Sequence, residues 1–311
     1  MPIALPHAEE AVSQSDSDKS KERRRMTMSQ TLITSRDPKG LHAVGLFEAV
    51  YNKSKLDEAR AQRLNERGGE LQDGIAKLID ELTMSNQFAD KEVESSYGYL
   101  SGYKPKDITE QTNILRQLFP GIGFADEKIA EQPLPPNAEG WFAIPKWQTL
   151  APTYGEAVEK VLAMIASKRK FYNYRDGQLG AEYLRQHAKT VKMFQKLGDE
   201  QKRHDILIVP CQLGLRHRGR SVRRAREVMN AVEFGLGAIA VGCMILTHPE
   251  RLMNYDDLWI DCAGDEFSPD ADGDFSHAPL FDFNDGGVKF NAFWYDYADE
   301  HYGSASAFLS Q

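Results

Sequence analysis

The sequence predicts an α+β fold, with a helical N-terminal half and a C-terminal half that contains a mixed sheet. Apolar residues recur at three- and four-residue steps from Leu41 to about Asn86, which is the period of an amphipathic helix. The C-terminal third instead carries short apolar runs typical of strands. Near residues 280–294, two alternating runs flank Asn284-Asp-Gly-Gly287, a strong β-hairpin signal. Helices followed by strands favour the α+β class or two domains.

Composition divides the chain into four parts. They are a disordered tail at 1–38, a helical region at 39–130, a proline-rich linker or irregular loop at 131–152, and an α/β globular region at 153–311. The tail is rich in Ser, Asp, Lys and Arg, and it has too little apolar surface to offset the entropy lost on ordering. The prolines of the third part make it the predicted domain boundary.

Local signals place the helices. Gly68-Gly69 interrupts the first helical run and predicts two helices there. A later helix is predicted between Thr109, as its N-cap, and Pro120. Thr153 and Glu156 form a capping box for a helix that ends near Phe171. Two more helices are expected, at about 179–197 with Gly198 as the stop and at 221–232 with Ser221 as the cap.

The strand predictions depend on short apolar runs in the globular region. Strands are expected at 205–210 and 258–262. Residues 238–246 are apolar and β-branched, so they form either a strand or a buried helix.

Charge and cysteine content limit the class of protein. The formal net charge is −8, which argues against non-specific coating of nucleic acid by the whole chain. The three cysteines, Cys211, Cys243 and Cys262, show no paired spacing, so reduced thiols in a cytoplasm are expected. We find neither a secretion signal nor a window of about 20 apolar residues, and therefore expect a soluble cytoplasmic protein without a membrane partner.

An arginine-rich loop is the strongest local signal for function. It follows a predicted strand and leads into a predicted helix, where backbone N–H groups and the helix dipole favour an anion. Its candidate anion- or nucleic-acid-binding residues are Arg216, His217, Arg218, Arg220, Ser221, Arg223 and Arg224. Arginine suits phosphate because its planar guanidinium makes bidentate contacts. The alternative is that these arginines pair with the acidic C-terminal segment.

That acidic segment is the second candidate. Asp261, Asp265 and Glu266 follow a predicted strand, and clustered carboxylates bind hard cations such as Mg²⁺ or Ca²⁺. An EF-hand is excluded, since Phe275 and Phe281 stand where that loop requires Gly and Glu. A polar surface turn is the alternative interpretation.

Aromatic and basic residues lie together at 168–174. Stacking of single-stranded bases is one role for such a set. Core packing is the other. The residues are Lys168, Arg169, Lys170, Tyr172 and Tyr174. The same two interpretations apply to five earlier aromatic residues, Tyr97, Tyr99, Tyr103, Trp141 and Trp147.

Three functions are therefore open. The leading hypothesis is a protein that binds phosphate, a phosphorylated ligand or nucleic acid through the loop at 214–226. The second is a metal-dependent phosphoester hydrolase that uses Asp261, Asp265 and Glu266, with the cofactor identity open. The third is a structural or partner-binding protein without a small-molecule site, for which an exposed apolar patch would be the sign.

Overall fold

The computed structural model describes residues 34–83 and 86–309. The chain forms two compact units, Met1–Gly68 and Gly69–Gln311. The division falls at Gly68 and Gly69, and not within the proline-rich segment at 131–152 where the boundary was predicted. Of the predicted disordered tail, residues 1–33 lie outside the described residues, and Pro38 already begins a helix.

The described part of the first unit consists of helices α1 (Pro38–Lys53) and α2 (Glu58–Glu66). Asp57 caps α2 by accepting a hydrogen bond from the Arg60 N–H at 2.8 Å. No residue of either helix is buried. Apolar side chains of α1 are exposed, namely Leu41, Val44, Leu46, Phe47 and Val50. Helical hydrogen bonds, with a side-chain cap in α2, rather than burial therefore account for these two helices.

The second unit contains the remaining helices and all the strands of the described residues. Its helices are α3 (Gly68–Thr83, which starts at the boundary), α4 (Ile108–Leu118), α5 (Tyr154–Lys168), α6 (Ala188–Glu200), α7 (Val222–Val228) and α8 (Ala238–Thr247). Its strands are β1 (Gly140–Pro145), β2 (Phe171–Asn173), β3 (Leu184–Gln186), β4 (Ile206–Gln212), β5 (Glu233–Gly235), β6 (Trp259–Asp261), β7 (Asp265–Phe267), β8 (His277–Asn284), β9 (Gly287–Trp294), β10 (Tyr302–Ser304) and β11 (Ser306–Phe308).

The strands form two sheets. The smaller sheet has the order β1-β4-β11-β5, and its neighbours are antiparallel. The larger sheet follows the path β10-β6-β8-β7-β3, and β9 pairs with both β8 and β2. Two of its pairs, β6 with β10 and β2 with β9, are parallel. The sheet is therefore mixed, and the predicted α+β class and the hairpin at 280–294 are confirmed.

Helix α8 lies at the centre of the core. It contacts α4, α5 and β1, and nearly all of its residues are buried. Because a helix that is apolar on every side has no solvated face, 238–246 form the buried helix of the two predicted alternatives. Gly242 lets α8 approach its neighbours, since a Cβ there would lie 2.6 Å from Val161 Cγ1 and 3.5 Å from Phe281 Cζ.

Several predicted boundaries are confirmed. Thr153 and Glu156 make the capping box of α5. Ser221 caps α7 by accepting from the Arg224 N–H at 3.1 Å. The strands expected at 205–210 and 258–262 are β4 and β6.

Other boundaries differ for identifiable reasons. The N-cap of α4 is Asp107, which accepts from the Thr109 N–H at 2.9 Å. Helix α6 begins only after His187, and Gly198 lies inside it rather than at its end. The segment at 131–152 contains β1, which pairs only with β4 at the edge of its sheet, where Pro145 is tolerated. Ser54 ends α1 before Asp57 starts α2, so the first helical run yields three helices instead of two.

Among the residues that the structure describes, none of the helices has both the length and the apolar character that crossing a bilayer requires.

We expect Gly242→Ala to destabilise the protein by about 1–3 kcal/mol, because the new methyl group must displace Val161 in a packed core. Gly198→Ala is the matched control, since its Cβ would meet only Lys146 Cε, at 3.8 Å. That variant should be about 0.5–1 kcal/mol more stable than wild type, as expected for Ala within a helix. Urea denaturation measures both. Equal effects of the two substitutions would contradict the packing of α8.

Candidate functional site

The arginine-rich loop is held mainly by glutamates. Arg220 Nε donates to Glu92 Oε2 at 2.9 Å, and Arg224 Nε donates to the same oxygen at 3.2 Å. Arg224 Nη1 also donates to Glu227 Oε2 at 2.7 Å. Arg224 is 3% exposed, so its charge is directed into the protein. These contacts attach the segment around Glu92 to the loop.

A buried carboxylate, Glu233, organises the first half of the loop. Arg216 Nε lies 3.1 Å from both Glu233 oxygens, and Ser306 Oγ donates to Oε1 at 2.6 Å. His217 Nε2 is 2.7 Å from Oε1, while its Nδ1 accepts from Arg220. Nε2 is therefore the protonated nitrogen of a neutral ring, and burial lowers the pKa of His217. Burial acts to raise the pKa of Glu233, but His217, Arg216 and Ser306 outweigh it and lower that pKa to about 2.

The other candidate residues of the loop also contact protein groups. Arg218 Nη1 donates to the Tyr97 carbonyl at 3.1 Å, and its side chain remains exposed. The Arg223 guanidinium lies 3.9 Å from the centre of the Phe88 ring. Ser221 donates its N–H to the Lys91 carbonyl and accepts from the Arg224 N–H. The loop thus joins residues 86–97 to the rest of the unit, and anion binding by it stays a prediction.

The sequence left open that the loop arginines pair with the acidic C-terminal segment. The structure shows that they pair with other carboxylates. The carboxylates in contact with the loop are Glu92, Glu227 and Glu233. A later arginine, Arg226, reaches the C-terminal segment, and its guanidinium donates to backbone carbonyls there. The physical reason is proximity, because Glu227 and Glu233 lie on the elements that follow the loop.

The basic and aromatic set at 168–174 lies on and around β2. Arg169 donates to the Pro249 and Leu252 carbonyls at 2.9 and 2.7 Å. Lys170 Nζ donates to the Asp285 carbonyl at 2.5 Å. Tyr172 and Tyr174 are exposed, with ring centres 4.5 Å apart. Lys168 ends α5 and lines a separate groove. Core packing therefore does not apply to Tyr172 and Tyr174. It does apply to most of the earlier aromatic residues of the set, since Tyr103 is buried in the core and Tyr99, Trp141 and Trp147 pack against it.

The three candidate metal ligands do not come together. Glu266 pairs with Arg185 Nε at 2.7 Å, and Asp265 is directed at the start of α8. Asp261 lies opposite Leu280 in the sheet. Its neighbour Ile260 pairs with Phe281, and the Phe281 ring approaches α8. Because successive residues of a strand point to opposite faces, Asp261 lies on the face away from α8. In residues 34–83 and 86–309, no group of three His, Cys, Asp or Glu side chains could hold a metal ion.

Asp265 instead contacts Tyr154, which lines a cavity of about 460 Å³. The cavity is bounded by the end of β1, the short helix that follows it, α6, and the first residues of α5 and α8. Its apolar walls include Trp147 and Phe194, and Tyr154 and Gly237 lie at its base. Asp265 is behind Tyr154 and fully buried.

The Tyr154 hydroxyl lies 2.7 and 2.8 Å from the two Asp265 oxygens. The Ala238 N–H at the start of α8 donates to Asp265 Oδ2 at 2.7 Å. Burial raises the pKa of Asp265 to about 7 in spite of these two hydrogen bonds. Burial, and then the adjacent carboxylate, hold the pKa of Tyr154 well above its usual value, so the hydroxyl keeps its proton.

This pair can present either hydrogen-bonding character to the cavity. When Asp265 is ionised, the Tyr154 proton points to the carboxylate and a phenol lone pair is left for a ligand donor. When Asp265 is protonated, it can donate to the phenol oxygen, and Tyr154 can donate to a ligand acceptor. A pKa near 7 is the range in which a group exchanges protons efficiently at neutral pH.

Three glycines make this arrangement possible. A Cβ at Gly235 would collide with the Ala263 backbone, and one at Gly264 would collide with the Gly235 carbonyl. A Cβ at Gly237 would meet Asp265 Oδ1 and would lie 2.6 Å from the Tyr154 hydroxyl. The turn before β7 and the start of α8 therefore approach each other closely enough for Asp265 to reach the helix N-terminus.

Polar groups at the mouth of the cavity are free to bind a ligand. Gln148, Gln186 and Gln195 line it, and their amides make no hydrogen bond to any other residue that the structure describes. Lys146 Nζ, by contrast, donates to the Gly198 and Gln201 carbonyls at 3.4 and 3.0 Å. The mouth therefore offers neutral donors and acceptors, together with the exposed carboxylate of Asp199.

Sequence reasoning identified Asp265 but not its partners. In the sequence, Tyr154 is only the first residue of a predicted helix. Gln148, Gln186 and Gln195 belong to no recognisable motif. A signal was present in Gly235-Leu-Gly237, two glycines between a strand and a helix, which is typical of close backbone approach.

We expect Glu233→Gln to destabilise the protein by about 3 kcal/mol at pH 7, because Arg216 loses its buried partner. The folded-state pKa of about 2 is below the ordinary value of 4.5, so this stability is complete above pH 4.5 and is lost as the pH falls toward 2. The difference between wild type and variant, from urea denaturation at several pH values, should shrink over that window. Glu94→Gln, at an exposed position, is the control. A difference that does not change with pH would contradict the ionised, buried Glu233.

The cavity with its Tyr154–Asp265 base and the arginine-rich loop are thus the two arrangements on which a function can be argued. The first leaves polar groups open toward a void, whereas the second directs most of its charge into the protein. No family model matches this chain, and no curated protein or solved structure matches it either.

Proposed function

We propose that this protein binds a small, uncharged molecule with a flat ring in the cavity above Tyr154. The observation that carries the proposal is the Tyr154 hydroxyl, fixed by buried Asp265 at the base of a 460 Å³ cavity whose mouth presents unbonded amides. Buried polar groups that are held in place beside apolar walls are the usual composition of a ligand site.

The size and walls of the cavity favour a ring. Its volume of about 460 Å³ falls within the range of roughly 300–1,000 Å³ that small-molecule sites occupy. Trp147, Phe194 and Tyr154 supply aromatic surface, and Trp147 and Tyr154 meet edge to face at 6.1 Å. Aromatic walls pack best against flat rings in offset or edge-on geometry.

The polar groups favour a neutral ligand with both donors and acceptors. A glutamine amide supplies both kinds of group, and it pairs well with the edge of a nucleobase or of a carboxamide. The cation nearest the mouth, Lys146, is already bonded to two carbonyls. An anion would therefore lack a partner here, and a cation would find only the exposed Asp199 carboxylate, whereas a nucleobase-like edge would find several hydrogen-bonding partners.

Partner binding, the third hypothesis from the sequence, is favoured by one separate observation. Helix α1 exposes large apolar side chains, including Leu41, Phe47 and Val50. Exposed apolar clusters of this kind are typical of interaction surfaces. This observation concerns the first unit, so it does not bear on the cavity of the second.

The test measures binding of adenine, uracil and benzamide to the full chain by saturation-transfer NMR and calorimetry, with cyclohexanol as the non-flat probe. We expect at least one flat probe to bind saturably and cyclohexanol not to bind. Tyr154→Phe should weaken that binding by about tenfold, which is the value of one buried hydrogen bond. Failure of all three flat probes would refute the proposal.

Matched variants show whether the cavity is the site. Gly198 faces the cavity with room for a side chain, so Gly198→Leu should abolish binding while Gly198→Ala retains it. Tyr172→Phe, at a residue that is 56% exposed on β2, controls for the loss of a phenol hydroxyl. Binding that survives in Gly198→Leu would place the ligand elsewhere.

A further inference from the structure

A second group of polar side chains lies on one face of the larger sheet. It is the face that α5 and α8 do not cover. Strands β6 and β10 are parallel, with Trp259 beside Tyr302 and Asp261 beside Ser304. Residues two apart on a strand share a face, so these four side chains lie on the same side. Asp282 belongs to that face as well, since Leu280, two residues before it, pairs with Asp261.

Two polar groups on this face lack a hydrogen-bond partner within the described residues, and one of them is fully buried. Ser304 is fully buried, and its hydroxyl makes no hydrogen bond within the described residues. Asp261 is only 7% exposed, and nothing in the described chain donates a hydrogen bond to its carboxyl group. Leaving a fully buried hydroxyl such as that of Ser304 unsatisfied costs roughly 1–3 kcal/mol. Two polar groups without partners, in register on neighbouring strands, indicate a place for a ligand.

The surroundings are acidic. Burial raises the pKa of Asp261 to about 7, and Asp299 raises it further against the opposing effect of Arg226. Burial, and then the charges of Asp261, Asp282 and Asp299, raise the pKa of Tyr302. Three carboxyl groups therefore surround one phenol. Their combined potential favours a cation.

The nearby basic groups are already engaged. Arg226 donates to the Ala263 and Asp265 carbonyls at 2.9 and 2.6 Å. Lys289, which pairs across the hairpin with Asp282, has its Nζ 3.2 Å from Asp285. His301 lies 3.5 Å from Asp299. None of these contacts supplies a hydrogen bond to Asp261.

Aromatic rings border the same face. The Trp259 ring stacks on His301 with centres 4.9 Å apart, and Tyr302 meets Trp259 edge to face at 5.1 Å. Faces of Trp and Tyr attract organic cations through their quadrupoles. This border adds affinity for an ammonium or guanidinium group, and it would contribute nothing to a bare metal ion.

We propose that Asp261, Ser304 and the neighbouring Asp282 form a binding site for a small organic cation that carries a primary ammonium or guanidinium group. Asp299 accepts from the His301 N–H and the Tyr297 hydroxyl, so it adds only negative potential to the site. An ammonium or guanidinium group has several N–H donors, so one cation can serve the Asp261 carboxylate and the Ser304 hydroxyl together. A metal is the poorer candidate, because no group of three such ligands in the described residues could hold one.

The test is calorimetric titration of the full chain at low salt with putrescine and with agmatine, the first a diamine and the second a guanidinium. The neutral analogue 1,4-butanediol and MgCl₂ are the comparison ligands. We expect saturable binding of at least one amine, weak or no binding of the diol, and no competition by Mg²⁺. Saturable binding of neither amine, or equal binding of the diol, would overturn the proposal.

Variants locate the site. Asp261→Asn should weaken amine binding about tenfold or more, and Ser304→Ala about threefold. Asp270→Asn removes an equal charge at an exposed position and should leave binding unchanged. Circular dichroism and thermal unfolding check the fold, and Asp282→Asn replaces Asp261→Asn if the latter does not fold. Equal weakening by Asp270→Asn and Asp261→Asn would show a general charge effect and overturn the proposal.

Discussion

The buried carboxylate of Asp265 is the constraint on which the second unit depends. Removing such a group from water costs several kcal/mol unless partners satisfy it. Here the partners are the Tyr154 hydroxyl and the Ala238 N–H, so the carboxylate ties β7 to the first turns of α5 and α8. Because α8 is deeply buried and contacts α4, α5 and β1, its position determines how these elements pack. The cavity is the space left beside this junction.

The arginine-rich loop shows where prediction from sequence ends. Its local features are encoded within a few residues, and the Ser221 cap and the Thr153 capping box are predicted correctly. Not all partners of its side chains are local, since Glu227 and Glu233 follow the loop closely but Arg220 meets Glu92 across 128 residues. A cluster of arginines therefore looks the same in sequence whether it awaits a phosphate or is neutralised by distant glutamates. Only the fold distinguishes the two cases.

Asp261 and Asp265 make the same point at short range. They are four residues apart, and their proximity in sequence predicts one shared metal site. The turn between β6 and β7 separates them, so that one faces Ser304 and the other faces α8. Within one strand, the spacing between two residues determines whether their side chains share a face of the sheet. This rule no longer holds when a turn lies between the two residues. Carboxylates on either side of a predicted turn are therefore weak evidence for a common site.

Three buried carboxylates, Glu233, Asp261 and Asp265, have different partners. This difference is the reason why ligand binding is proposed beside only two of them. Glu233 contacts Arg216 directly, and its pKa falls to about 2, so its charge is fixed over the physiological range. Asp261 and Asp265 lie near Arg226, but that guanidinium donates to backbone carbonyls instead of forming an ion pair with either. Burial consequently dominates, and both pKa values rise to about 7. A ligand gains most where it can complete an unsatisfied or titrating group, and this condition is met beside the two aspartates and not at Glu233.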